Sequence, residues 1–322
     1  MRVEPETRPR VHPRHMWIHV LWVGLALWVA SVAVTVITQN STLLPTVILL
    51  GSFLVPVTFV VWAYERRSER LTERHFFRCF VTGGVLGVLG ASLLESYLLR
   101  PDVWMFIRVG FIEEFVKATA LIWCARDLRV RTLRDGAILG ATVGFGFSAL
   151  ESAGYAFNAM FTERGLSFGN LIEAEVTRGL LTPFGHGLWT GIVGAVLFAT
   201  SPRGPLRPTL RAVGAYVVVS LLHGLWDSMN GIAIVLTVLI TGDSWQVRTL
   251  ESGHVPPITQ QQLHIYSILT YTGLALVSLV GLLVLVGVLR SERLRRSELL
   301  ASGDGPALDV REQVPDRHAE RP

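Results

Sequence analysis

Long apolar blocks, separated by short arginine-rich stretches, constrain this chain more than any other feature. A helix needs about 20 apolar residues to cross the ~30 Å hydrocarbon core of a bilayer. Eight blocks qualify: 17–38, 43–64, 79–99, 103–125, 136–161, 175–200, 212–241 and 264–289. Half of the 322 residues are hydrophobic and only 17% are charged, against about 25% in a soluble domain. A soluble fold of this length could not hide so much apolar surface. The expected fold is therefore all-α, a polytopic membrane protein with eight transmembrane helices. That excludes a secreted disulfide scaffold, a coiled coil and a soluble nucleotide-binding enzyme.

The formal net charge is +4, but the positive charge sits in short connections, where it sets topology and does not mark nucleic-acid binding. Arginines crowd the N-terminus, 65–78, 126–135, 201–211 and the C-terminal stretch, whereas Arg100, Arg164 and Arg248 alone lie on the other side. The positive-inside rule then predicts cytoplasmic N- and C-termini and an even number of crossings. The first block is too long for a signal-peptide core and reads as a signal anchor. Segments 1–15 and 291–322 are polar and expected to be flexible tails around a membrane domain of 16–290, with the chemistry expected in spans about 103–241. Cys79 and Cys124 have no zinc-ligand spacing and are expected to be reduced and packed. Lys117 is the only lysine, a bias toward arginine that points to a GC-rich bacterial genome, and the expected location is the bacterial plasma membrane.

The fourth block carries Glu113, Glu114 and Lys117 in its interior. Each such charge costs about 2.5–3.5 kcal/mol at a span centre, so this helix must be sheltered by others around a polar interior. Glu113 and Lys117 are four residues apart with the acid first, the favourable order on one helical face. Glu113 and Glu114 are rotated about 100° apart, so one can face a cavity while the other pairs with Lys117. Three further blocks add Glu151 with Tyr155, His186, and His223 with Asp227 one turn on. A carboxylate one turn from a histidine can fix its tautomer. At ~1.5 Å per residue, Glu113, His186 and His223 all lie about 15–16 Å from a span end, and Glu151 and Asp227 about 22 Å. No helix N-terminus is evident at that depth to stabilise an oxyanion. Arg108 and Arg178 read as cavity-edge or snorkelling charges, Glu95 as solvated, and Trp189 and Trp226 as packing. His186-Gly-Leu-Trp189 reappears as His223-Gly-Leu-Trp226 on a helix of opposite direction, a hint of inverted symmetry. Small residues every four positions, Gly136, Gly140, Gly144, Ser148 and Ser152, mark a face for close helix approach.

The ordered set Glu113-Glu114-Phe-Val-Lys117, Glu151-Ser-Ala-Gly-Tyr155, His186 and His223-Gly-Leu-Trp226-Asp227 resembles the PrsW family of intramembrane proteases. That family is distantly similar to the CAAX-prenyl-endopeptidase and bacteriocin-processing protease superfamily. Leu150 and Ser152 stand where the family more often has Phe and Asn. The resemblance implies hydrolysis of a peptide bond in a membrane-anchored protein, such as an anti-sigma factor, on the extracytoplasmic side.

A carboxylate in an apolar, partly desolvated pocket can activate water near neutral pH. Glu113 is the expected base and Glu114 the fallback. His223 with Asp227 is the expected oxyanion donor, and His186 would hold the water or protonate the leaving amine. Lys117, Glu151 and Tyr155 support the network. The same residues also suit a metal version, with His186, His223 and Glu113 holding one zinc ion; no His-Glu-x-x-His motif is present to choose between the two. A proton-coupled transporter is the competing reading, since buried Glu, His and Asp chains also build proton relays.

Overall fold

The computed structural model describes residues 15–163 and 165–301, and among them the architecture is a helical bundle with one small hairpin. The first two helices are α1 (Met16–Thr38) and α2 (Leu44–Glu65). The third block is α3 (Glu73–Val81) and α4 (Gly87–Leu98), joined by a single widened π turn, Thr82–Leu86. Then come α5 (Met105–Cys124) and α6 (Leu133–Ala159), with Thr132 capping α6 by accepting from the Asp135 amide. A hairpin of β1 (Phe161–Thr162) and β2 (Gly165–Leu166) follows, paired antiparallel with Phe161 opposite Leu166. The chain continues with α7 (Phe168–Leu181), α8 (His186–Thr200), α9 (Leu210–Thr241), α10 (Ser244–Glu251) and α11 (Gln260–Ala301).

Among the described residues, seven helical stretches are long and apolar enough to cross a membrane. The fourth expected span, α5, is 20 residues long but does not qualify on composition, because Arg108, Glu113, Glu114 and Lys117 interrupt its apolar run. The arginine-rich stretches 1–14 and 302–322, on which the orientation of the termini partly rests, lie outside the described residues. So do most of the two expected tails; α11 nevertheless remains helical through Ala301, past the expected tail boundary at 291.

The block expected as one span over 175–200 is two helices. Pro183 sits in a 3₁₀ turn, Thr182–Phe184, and Gly185 leaves the helical conformation. Proline lacks the amide that would continue the ladder, and its ring clashes with the turn before it. His186 is consequently the first residue of α8, and a helix N-terminus does lie at the depth of the polar cluster, contrary to expectation.

The floor of the bundle is the pair α6 and α8. The small-residue stripe explains their approach: a side-chain carbon on Gly144 would collide with the His186 carbonyl, and one on Gly140 with the Thr190 carbonyl. The same device brings α5 to α9, where Gly110 packs on the backbone of Ser220 and Gly224. Two glycine-lined contacts thus set the distance of α8 from α6 and of α5 from α9. Apolar packing fills the end near the arginine-rich connections, where Cys79 and Cys124 lie buried and free among Leu71, Phe76, Leu121 and Phe198.

Candidate active site

The polar residues of α5, α6, α8 and α9 meet in one cluster. Lys117 is fully buried and lies 2.7 Å from Glu114 and 3.2 Å from Glu113. Its ammonium also faces the Phe147 ring at 4.3 Å. The same nitrogen is 2.8 Å from His186 Nδ1. An ammonium has donors only, so Nδ1 accepts and the opposite nitrogen, Nε2, donates to Glu151 at 2.9 Å. Glu151 in turn pairs closely with Arg178, which also donates to Ser152 Oγ at 2.9 Å.

Glu114 is occupied on both oxygens. Oε1 takes Lys117 and His223 Nδ1 at 3.1 Å, and Oε2 accepts from Thr190 Oγ1 at 3.2 Å. His223 Nδ1 therefore carries a proton, since a carboxylate only accepts. His223 Nε2 then points at two carboxylate oxygens, Glu113 at 3.5 Å and Asp227 at 3.3 Å. Neither contact has hydrogen-bond geometry, and this buried nitrogen has no hydrogen-bond partner among the described residues. Trp189 Nε1 and Ser220 Oγ nearby are buried and unpartnered as well. Trp189 stacks on the His223 ring at 4.6 Å and meets Trp226 edge-on at 5.6 Å, so the repeated tetrapeptide contributes the rings that enclose the histidines.

Several expectations change in detail. The sequence reading puts Asp227 behind His223; Glu114 holds that position, and Asp227 lies at the Nε2 edge of the ring with 27% of its side chain exposed. Tyr155 is more than half exposed and offers its ring to Arg178 at 4.1 Å instead of joining the carboxylate network. Arg178 is not a rim charge but the counter-ion of Glu151. Glu95 is not fully solvated, because its Oε1 is buried without a partner. Arg178 and Thr190 were missed as site residues. Charge balance could have found the arginine: the interior acids Glu113, Glu114, Glu151 and Asp227 outnumber Lys117, and Arg178 is the cation of the next block. Arg108 pairs with Asp102 at 2.8 Å, away from the cluster. Outside the spans, that guanidinium holds the Asp102 carboxyl below its usual range.

A family model described as PrsW family intramembrane metalloprotease matches residues 72–246. The chain belongs to the PrsW family. No curated protein and no solved structure matches it. The matched region covers every residue of the cluster, from Glu113 to Asp227, and membership makes the chain a membrane-embedded peptidase.

The family description includes a metal, and the PrsW-type cluster has a donor set for one. Glu113, His186 and His223 each offer one ligand atom, all within 4.8 Å of one another. Two imidazoles and a carboxylate are a catalytic zinc set. The unpartnered His223 Nε2, facing two carboxylates, demands a positive partner, and Glu151 and Glu114 support the far nitrogens in the way metal-binding histidines are supported. His186 Nδ1 fits if Lys117 withdraws to its two glutamates. The residues fit the group.

Proposed function

We propose that the chain is an endopeptidase that cuts a membrane-anchored protein, with Glu113 as the base that activates water. The observation that carries this reading is the division of labour within the acid pair. Glu114 is saturated by Lys117, His223 and Thr190. Glu113 turns Oε2 toward Lys117 and both histidines, whereas Oε1 accepts no hydrogen bond among the described residues. A free carboxylate oxygen in an enclosed pocket is the one able to take a proton from water.

In the proposed reaction, Glu113 Oε1 accepts that proton as the water oxygen attacks the scissile carbonyl carbon. Glu113 then returns the proton to the leaving nitrogen as the peptide bond breaks. In the metal-free version His223 is the doubly protonated imidazolium: Nδ1–H is locked by Glu114, Nε2–H donates to the developing oxyanion, and the nearby Glu113 and Asp227 carboxylates balance its charge. The α8 N-terminus adds its positive end to the same region. His186, fixed between Lys117 and Glu151, keeps its orientation during proton transfer. In the alternative metal version Glu113, His186 and His223 would hold the ion, with His223 Nε2 as a ligand in place of a donor, and the metal when bound would supply Lewis-acid polarisation of the carbonyl. The expected setting is a bacterial plasma membrane, with eight crossings, α5 included, and both termini cytoplasmic. An anti-sigma-factor-like membrane protein is the substrate class that the family resemblance implies.

The test is cleavage of a membrane-tethered substrate by Glu113→Gln in reconstituted vesicles. We expect inserted, folded protein with cleavage lost. Cleavage at the wild-type rate would remove Glu113 from the mechanism. Acid-dependent proton or solute flux without cleavage would favour the carrier.

A further inference from the structure

An apolar cavity lies away from the polar cluster. It is a slot of about 360 Å³ with α6 and α8 as its floor, α2 as one wall and α11 as the other. The lining is almost wholly apolar, with Phe59, Phe145, Leu188 and Leu285 along its length. Phe59 and Phe145 stack at 4.2 Å and form part of the wall. Two cations stand at one end, Arg66 and Arg134. Both are exposed, and neither pairs with a carboxylate among the described residues. They are held together: Arg134 donates to the Arg66 carbonyl at 2.6 Å, and the Arg66 guanidinium lies over the Trp62 ring at 4.8 Å.

The dimensions identify the occupant. From Arg134 to Phe145 is eleven helical residues, about 16 Å, which matches half of a ~30 Å hydrocarbon core. The slot therefore runs from the arginine-rich boundary toward the midplane, where Pro183 and Gly187 join Phe145 in its lining. The slot is narrow over that length, which suits an extended hydrocarbon chain better than a further helix about 10 Å across. An apolar channel one leaflet deep, with two unneutralised guanidinium groups at its rim, has the charge and shape of a glycerophospholipid with an anionic headgroup.

We propose that this slot binds one anionic phospholipid of the arginine-side leaflet, with its phosphate on Arg66 and Arg134 and one acyl chain between α2 and α11. The chain end reaches the residues on either side of His186, so the lipid packs against the break that places that histidine. The site shares no side chain with the peptidase reading and stands or falls separately from it.

The full-length protein, reconstituted in phosphatidylcholine vesicles doped with phosphatidylglycerol and then extracted, is examined by native mass spectrometry. We expect wild-type protein to retain phosphatidylglycerol over phosphatidylcholine. Arg66→Gln with Arg134→Gln should weaken retention by roughly 30-fold, the size expected for two arginines at a membrane surface. Arg66→Lys with Arg134→Lys keeps the charge and should keep the selectivity, which guards against a folding defect. Ala137→Leu, which fills the slot and leaves both arginines in place, should also displace the lipid. Equal retention of the two lipids by wild type overturns the proposal, as does retention unaffected by both the glutamine pair and Ala137→Leu. Displacement of the lipid by glycerol 3-phosphate alone would show a headgroup site without a chain site and overturn it too. So would cross-linking of a substrate helix to position 137.

Discussion

Glu113 and Glu114 are adjacent in sequence, yet the helical rotation of about 100° between them sends one toward the histidines and leaves the other inside an ion-paired lattice. Removing one partner of a buried ion pair costs about 3–5 kcal/mol, because the remaining charge is stranded. Glu114→Gln should therefore lower the melting temperature markedly as well as cleavage. Glu113→Gln should lower cleavage by about 10²–10⁴-fold with little change in melting, and thermal denaturation of the two variants side by side checks the contrast. His223 gives a second prediction at this scale. Its Nε2 faces two acids and needs a positive partner. Purified protein should contain about one zinc ion per chain, lost in His223→Ala, and chelation should stop cleavage until zinc is restored. Full activity in metal-free protein would leave a protonated imidazole as that partner.

Helix approach and helix interruption set the geometry of the site. Gly144 lies against the His186 carbonyl, so Gly144→Val should push α8 from α6. Overpacking of that kind costs about 1–3 kcal/mol, and it should displace His186 enough to reduce cleavage beyond the loss of folded protein. Upstream of the break, α7 is tied to the first two helices by Glu175, which is buried and accepts from Trp28 Nε1 at 3.0 Å and Ser52 Oγ at 2.8 Å. Glu175→Leu leaves both donors unpaired at about 1–3 kcal/mol each and loosens the segment that carries Arg178 and, through Pro183, His186. Glu175→Gln keeps an acceptor and should retain most activity. Comparing the two variants for cleavage and thermal stability separates anchoring from charge.

For the whole molecule, the open quantity is how many times the chain crosses. Among the described residues seven stretches qualify by composition, and the proposal of eight crossings requires α5 to join them as part of the assembled bundle, where its charges find one another. We expect reporter fusions to place residue 1 and residue 322 both in the cytoplasm. They should also place the two ends of α5 on opposite sides. Opposite locations for the termini would mean an odd number of crossings.

Much of the architecture is legible in the sequence alone. Apolar run length announces a membrane helix because lipid offers no backbone partner. The Gly136–Ser152 stripe announced a close helix contact, and the charges of block 103–125 announced a polar interior. Three things were not legible: the break at Pro183, which apolarity alone runs straight through; the place of Glu114 and not Asp227 behind His223; and the pairing of Arg178 with Glu151. Each depends on which helices are neighbours and how each is rotated about its axis. Sequence alone determines which segments lipid accepts and which charges it rejects, because transfer from water is a property of each segment by itself. Which rejected charge meets which is a property of packed pairs of helices, and only the tertiary structure decided it.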